Sequence, residues 1–122
     1  MPRVMHFELL IDDADRALNF YRNVFGWQIN KWDGPMDYWL VTTGDKAEPG
    51  IDGALTRRSE GFRSTVNTVG VAPVDEAVAK IEANGGKILM SKGPVPGIGW
   101  VAYAQDTEGN TFGIIQPDPE AR

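Results

Sequence analysis

Cysteine is absent from this chain of 122 residues, which excludes disulfides, thiolate metal sites and cysteine nucleophiles. Histidine occurs once, as His6, so only one imidazole is available as a base, and no G-x-S-x-G motif accompanies it. Basic residues are outnumbered 12 to 17 by acidic ones, giving a net charge of −5. That balance argues against nucleic acid, because phosphate binding needs clustered Lys and Arg. The densest basic spot is the pair Arg57-Arg58, too small for a patch. No apolar run approaches the roughly 20 residues of a membrane span. Met1-Pro2-Arg3 leads directly into a strand-like pattern, so neither a signal peptide nor a membrane partner is expected, and the cytoplasm is the default location. Gly97-Ile98-Gly99 lacks the third glycine and the following helix of a dinucleotide fingerprint.

What the chain does have is punctuation, with 14 glycines and eight prolines, as a fold of many short elements requires. Two segments carry a helical period. In the first, Asp12-Asp13 offers N-cap oxygens, Ala17, Leu18, Tyr21, Val24 and Phe25 form one apolar stripe, and Gly26 supplies a left-handed stop. In the second, Pro73 and Asp75 open the helix, Val74, Ala77, Val78 and Ile81 form the stripe, and Gly85-Gly86 closes it. Each helix is preceded by a strand-like run, 4–11 and 65–71, and each is followed by three more. The first set is 27–32, 38–43 and 51–57; the second is 87–91, 99–105 and 111–116. Asp106 to Asn110, D-T-E-G-N, predicts a tight hairpin. The chain therefore reads βαβββ–βαβββ, a single α+β domain over 1–122. Its modules run from about 3 to 58 and about 62 to 117, with a boundary near Glu60-Gly61. The period is half the chain and occurs twice, the mark of an internal duplication, whereas solenoids repeat shorter units more often.

Within Arg3 to Ile11, R-V-M-H-F-E-L-L-I, alternation divides the side chains between two faces. Met5, Phe7, Leu9 and Ile11 share an apolar face that must pack under the first helix. Val4, His6, Glu8 and Leu10 share the other. A half-buried strand with one wet face explains the pattern, and so does a strand lining a cavity.

The pattern resembles the vicinal oxygen chelate superfamily, which includes glyoxalase I, bleomycin-resistance proteins, extradiol dioxygenases and methylmalonyl-CoA epimerase. The likeness is carried by L-N-F-Y-R-N-V-F-G-W (Leu18–Trp27), by A-V-A-K-I-E-A-N-G-G (Ala77–Gly86) and by D-T-E-G-N-T-F (Asp106–Phe112). The H-F-E of His6–Glu8 and the G-P-M-D-Y-W of Gly34–Trp39 are similar to the short glyoxalase-like proteins of bacteria. The resemblance implies two βαβββ modules curling into an open-barrel sheet around a cavity, usually paired in a homodimer. It also implies about four His and Glu metal ligands in the enzyme members. The first of those positions falls on His6. The others fall near Ala54, with Asp52 two residues away, on Val66 beside Asn67, and on Gly113. Three of the four are thus apolar or lack a side chain.

One imidazole and two carboxylates, His6, Glu8 and Asp52, are a recognised donor set for a divalent metal, though structural and catalytic sites usually demand three or four convergent ligands. No cofactor is expected, with a divalent metal kept as the alternative. Small residues at the lost positions, together with Gly53 and Gly70, are expected to enlarge and dry the cavity. Of the four tryptophans, Trp27 is assigned to the core, and Trp39 and Trp100 to pocket walls, while the P-V-P-G-I-G stretch (Pro94 to Gly99) reads equally as a shaped loop at the mouth or as a plain connection. His6 and Glu8 would be the polar anchors for a small apolar or aromatic molecule, with an acid/base role for His6 left open. A metal-dependent lyase, isomerase or dioxygenase and a metal-free interaction module are the competing functions.

Overall fold

The computed structural model describes residues 2–122. Ten elements follow in order: β1 (Val4–Ile11), α1 (Ala14–Phe25), β2 (Gln28–Lys31), β3 (Tyr38–Thr42), β4 (Gly53–Arg57), β5 (Val66–Gly70), α2 (Val74–Ala83), β6 (Lys87–Val95), β7 (Gly99–Gln105) and β8 (Thr111–Pro117). The fold class is α+β, with eight strands and two helices among the described residues. No helix among them is long and apolar enough to cross a membrane. The chain divides into two compact units, His6–Val66 and Asn67–Arg122, the latter joined by residues 2–5.

In the first unit the strands run β2-β3-β4-β1. The pairs β2–β3 and β3–β4 are antiparallel, while β4–β1 is parallel. Helix α1 starts where Asp13 Oδ1 accepts the Arg16 amide at 3.0 Å, filling one orphan donor of the first turn. It stops where Gly26, at φ 71°, donates its N–H to the Arg22 carbonyl. A side chain at Gly26 would meet nothing within 4 Å, so Gly26→Ala carries only the cost of the left-handed backbone. We expect a loss of about 1 kcal/mol, read from urea unfolding. The core lies between α1 and the sheet: Ile11, Leu18, Ile29, Trp39, Val41 and Leu55 are buried together, and Phe7, Leu9, Ala17 and Tyr21 pack against them. The apolar face expected for β1 is therefore the helix-facing one from Phe7 onward. The helical stripe is shorter than its sequence pattern. Val24 and Phe25 in the last turn are exposed, and Phe25 meets Trp27 at a ring distance of 5.1 Å.

In the second unit the order is β5-β8-β7-β6, with β5–β8 parallel and the other pairs antiparallel. The amide of Gly70 donates to the carbonyl of Arg3, so the start of the chain lies along β5. Helix α2 has no side-chain cap of its own. The amide of Val74 instead donates to Gln116 Oε1 on β8 at 3.0 Å, and Asp75, read as an opener, faces Lys92 at 3.2 Å. Val74 of this helix is buried against Ala102 and Ile114 of the sheet, with Ala77, Val78, Ile81, Trp100 and Phe112 packed around them. The D-T-E-G-N turn forms as expected: the Asp106 carboxylate accepts from the Glu108 and Asn110 amides and from Asn110 Nδ2, with Gly109 at φ 84°. The P-V-P-G-I-G stretch departs from the reading as a pocket loop. Strand β6 continues through Val95, pairing Pro94 with Trp100 and Val95 with Gly99 across a tight turn at Gly97. Two register shifts, between Ile88 and Met90 and between Met90 and Gly93, interrupt the ladder before it resumes with Gly93 opposite Val101 and Pro94 opposite Trp100, as bulges do locally.

Candidate functional site

The face of the first unit turned away from α1 follows from strand parity. Trp39, Val41 and Leu55 point to the helix, so Tyr38 and Leu40 on β3 and Ala54 and Thr56 on β4 point the other way, with His6, Glu8 and Leu10 on β1. Strand pairing sets Glu8 beside Ala54 and Leu40 beside the same alanine. Glu8 is buried, 5% exposed, and burial of a carboxyl group is tolerated only with polar company.

His6 supplies part of that company. Its Nε2 shares a 2.9 Å hydrogen bond with the Tyr38 hydroxyl. Burial pushes the imidazole below its ordinary value of 6.5, and this outweighs the opposing pull of Glu8 and, to a smaller degree, Asp52. His6 is therefore neutral at physiological pH, with one ring nitrogen engaged by Tyr38. Asp52 is committed elsewhere: its Oδ1 accepts the Thr43 amide at 2.8 Å and the Thr43 hydroxyl at 3.2 Å, which fastens the start of β4 to the end of β3.

The donor set expected for a metal does not assemble. Among the described residues, no three His, Asp or Glu side chains lie close enough together to hold an ion. Asp52, whose Oδ1 is engaged by Thr43, does not join His6 and Glu8 in such a group. Two donors, His6 and Glu8, do not make the three or four of a protein metal site.

Trp39 and Trp100 require a correction. Both face helices, not a cavity. Trp39 is in the buried core under α1 with the Arg57 guanidinium 5.5 Å from its ring. Trp100 packs against the cluster under α2, donates its indole N–H to Asp118 Oδ2 at 3.0 Å, and lies beneath Lys92. Adjacent residues in a strand take opposite faces, and in Tyr38-Trp39 both are large aromatics, so composition could not show which one faced the helix. The small residues are corrected as well. A Cβ on Gly113 would come within 2.9 Å of Thr68 Oγ1 and 3.1 Å of the Tyr103 ring; one on Gly53 would strike the Phe7 carbonyl, and one on Gly70 the Met5 sulfur. Those neighbours already fill the space, so these glycines mark close packing and open no void. A cleft of about 360 Å³ lies at the end of β1, between Leu10, Asp12, Arg16, Phe20 and Arg58, and contains none of the expected anchors.

The residue that sequence reasoning passed over is Tyr38. Its signal was present in D-Y-W, since whichever of the two aromatics opposed Leu55 had to leave the other beside His6.

This architecture is shared. The description Bleomycin resistance protein-like N-terminal fits residues 3–44. A lactoylglutathione lyase of Arabidopsis thaliana is 28% identical over 97% of the chain. The chain spans 46% of that relative's length, less than half of it. Among solved structures, the hypothetical protein BH1468 of Bacillus halodurans superposes with a TM-score of 0.70 at 16% identity, covering 99% of this chain and 98% of that one. Methylmalonyl-CoA epimerase from Mycobacterium tuberculosis superposes at 0.69 with 13% identity, over 95% and 88% of the two chains. These likenesses define a protein of the paired βαβββ fold. Over residues 3–44 the sequence is similar to the bleomycin-resistance proteins, and over nearly its whole length the chain shares its fold with methylmalonyl-CoA epimerase.

Proposed function

We propose that this chain binds a small apolar or aromatic molecule on the β1–β3–β4 face, with His6 and Glu8 as polar anchors and without a full metal site. The observation that carries this reading is the His6–Tyr38 pair beside a buried Glu8, on the one face of the unit not used by α1. A few polar groups set among apolar ones, here the exposed Leu40 above the buried Leu10 and Ala54, are how small-molecule sites achieve both affinity and orientation. The two modules of about 3–58 and 62–117 are read as a duplicated unit, and two chains are expected to pair as a homodimer, since sheet edges such as β2 are commonly covered. Light scattering showing a monomer at high concentration would remove the dimer from this reading.

The binding test is thermal unfolding of chelator-treated protein against a panel of aromatic and aliphatic compounds. A ligand that binds only the folded chain raises its Tm in proportion to concentration. We expect stabilisation by at least one aromatic compound in metal-free protein. Stabilisation that appears only after Zn, Ni, Mn or Fe is restored, with stoichiometric metal by elemental analysis, would overturn the metal-free reading. A metal-dependent glyoxalase-like lyase would then take its place, a second reading supported by the likeness to the Arabidopsis lyase.

A further inference from the structure

Between β2 and β3 the chain makes a short excursion, Trp32 to Asp37, with the sequence W-D-G-P-M-D. It is closed at its base, where the Trp32 amide donates to the Tyr38 carbonyl at 2.7 Å. This bond continues the β2–β3 ladder by one step past Lys31–Trp39. Parity then puts Trp32 on the same side as Tyr38, opposite Trp39 and α1. The two rings meet edge to face, 6.0 Å apart at 73°, a favoured geometry for aromatic pairs. The Trp32 indole folds back over Gly34 so closely that a Cβ there would lie 2.1 Å from its ring. No residue but glycine admits the indole in that position. At the other end, the Tyr38 hydroxyl is held by His6.

These contacts form one continuous device. Gly34 seats Trp32, Trp32 abuts Tyr38, and Tyr38 is tied to His6. Both rings are only partly buried, so part of each remains available for contact. The bond to Tyr38 is made at His6 Nε2. A neutral imidazole nitrogen can donate or accept one hydrogen bond, and a hydroxyl group can answer either.

The geometry points to Trp32 and Tyr38, not Trp39 or Trp100, as the aromatic wall of the ligand site, selecting a flat hydroxyaromatic molecule whose ring lies against that wall and whose hydroxyl reaches His6. This assignment rests on the binding reading above and narrows its ligand class. Gly34 has a part in it despite touching no ligand, because it fixes where the indole sits. A saturated molecule of the same size would find the hydrogen bond but lose the ring contacts.

The test compares naphthol with its fully saturated analogue decalol, by titration calorimetry on the full chain. The wild-type chain should bind naphthol several-fold more tightly than decalol. Trp32→Ala should weaken naphthol binding about five- to tenfold, the range of a lost aromatic contact, and bring the two probes together. Gly34→Ala, which keeps every ring but displaces the indole, should move affinity in the same direction while the far-ultraviolet circular dichroism stays that of the wild type. Tyr38→Phe keeps the ring and loses the tie to His6, and should cost less than Trp32→Ala. Phe25→Ala, on the exposed end of α1, should leave both affinities unchanged. Equal binding of the two probes, with Trp32→Ala and Gly34→Ala indistinguishable from wild type, would overturn the aromatic wall and leave the binding reading standing. Failure of both probes to bind would remove the wall and the binding reading together.

Discussion

Leu55→Ala should reduce the stability of the chain by about 3 kcal/mol, a large share of the 5–15 kcal/mol that holds a typical domain together. Leu55 is fully buried in the middle of β4, on the face that meets α1, with Leu18, Trp39 and Val41 in the same cluster. Truncation removes three carbons from a site whose neighbours cannot close in: Trp39 is fixed by ladder bonds on both sides of β3, and Leu18 is fixed by the helix. The cost therefore includes both lost transfer energy and a residual cavity. In a chain of this length, the shift in Tm should be about 10 °C. Leu40→Ala, one strand position away from Trp39 but on the opposite, more open face, should cost less than about 1 kcal/mol, as exposed truncations do. Urea unfolding of the two variants checks both numbers. Comparable losses would mean that the helix-facing core has been assigned to the wrong side of β3.

That comparison turns on parity, which is also where the sequence is most and least informative. The elements were legible because several local signals agreed at each: Asp13 and Gly26 cap α1 as their side-chain chemistry dictates, and Asp106 organises the last hairpin through its own carboxylate. The alternation of β1 was legible because its two faces differ in polarity. The face of Trp39 was not, because both members of Tyr38-Trp39 are aromatic and only the register with Leu55 decides between them. The end of α1 was overread for a different reason. Val24 and Phe25 continue the helical period, but burial depends on whether a strand lies opposite, and periodicity carries no information about where the sheet ends. The glycines of the candidate site were overread in the opposite sense. A missing side chain implies space only if no neighbour fills it, and Tyr103, Phe7 and Met5 do so at Gly113, Gly53 and Gly70. The engagement of Asp52 with Thr43, nine residues away, is likewise a contact that no spacing rule encodes.

The site itself should be governed by the proton on His6. At neutral pH the imidazole is neutral, held below its ordinary value chiefly by burial, and it engages Tyr38 at Nε2; the proposed ligand would meet it in that state. In the unfolded chain it titrates near 6.5. Between 6.5 and the lower folded value, the unfolded state binds more protons than the folded one, so stability rises with pH across that window. The contribution is complete above 6.5, and it is lost as the pH falls through the window to the folded value, below which both states are protonated. Glu8, Asp52 and the Tyr38 hydroxyl are the charged and titratable groups that face the ring. Asp37, held down first by its hydrogen bond to Arg57, and Asp106, held down first by that to Asn110, also titrate below their ordinary 3.8. Their stabilisation is present above 3.8 and is lost below it, so it does not overlap the onset of the His6 effect. His6→Ala should weaken binding of an aromatic ligand about tenfold, the worth of a good hydrogen bond with its positioning. It should change stability at pH 7 by less than about 1 kcal/mol, because a half-buried wall residue has few packing contacts to lose. Urea unfolding at pH 8, 6.5 and 5 separates the two roles. The wild type should lose stability between 6.5 and 5 by more than His6→Ala does, and its ligand affinity should fall over the same interval. Parallel pH profiles for the two proteins would show that His6 is not the buried, neutral anchor of the site.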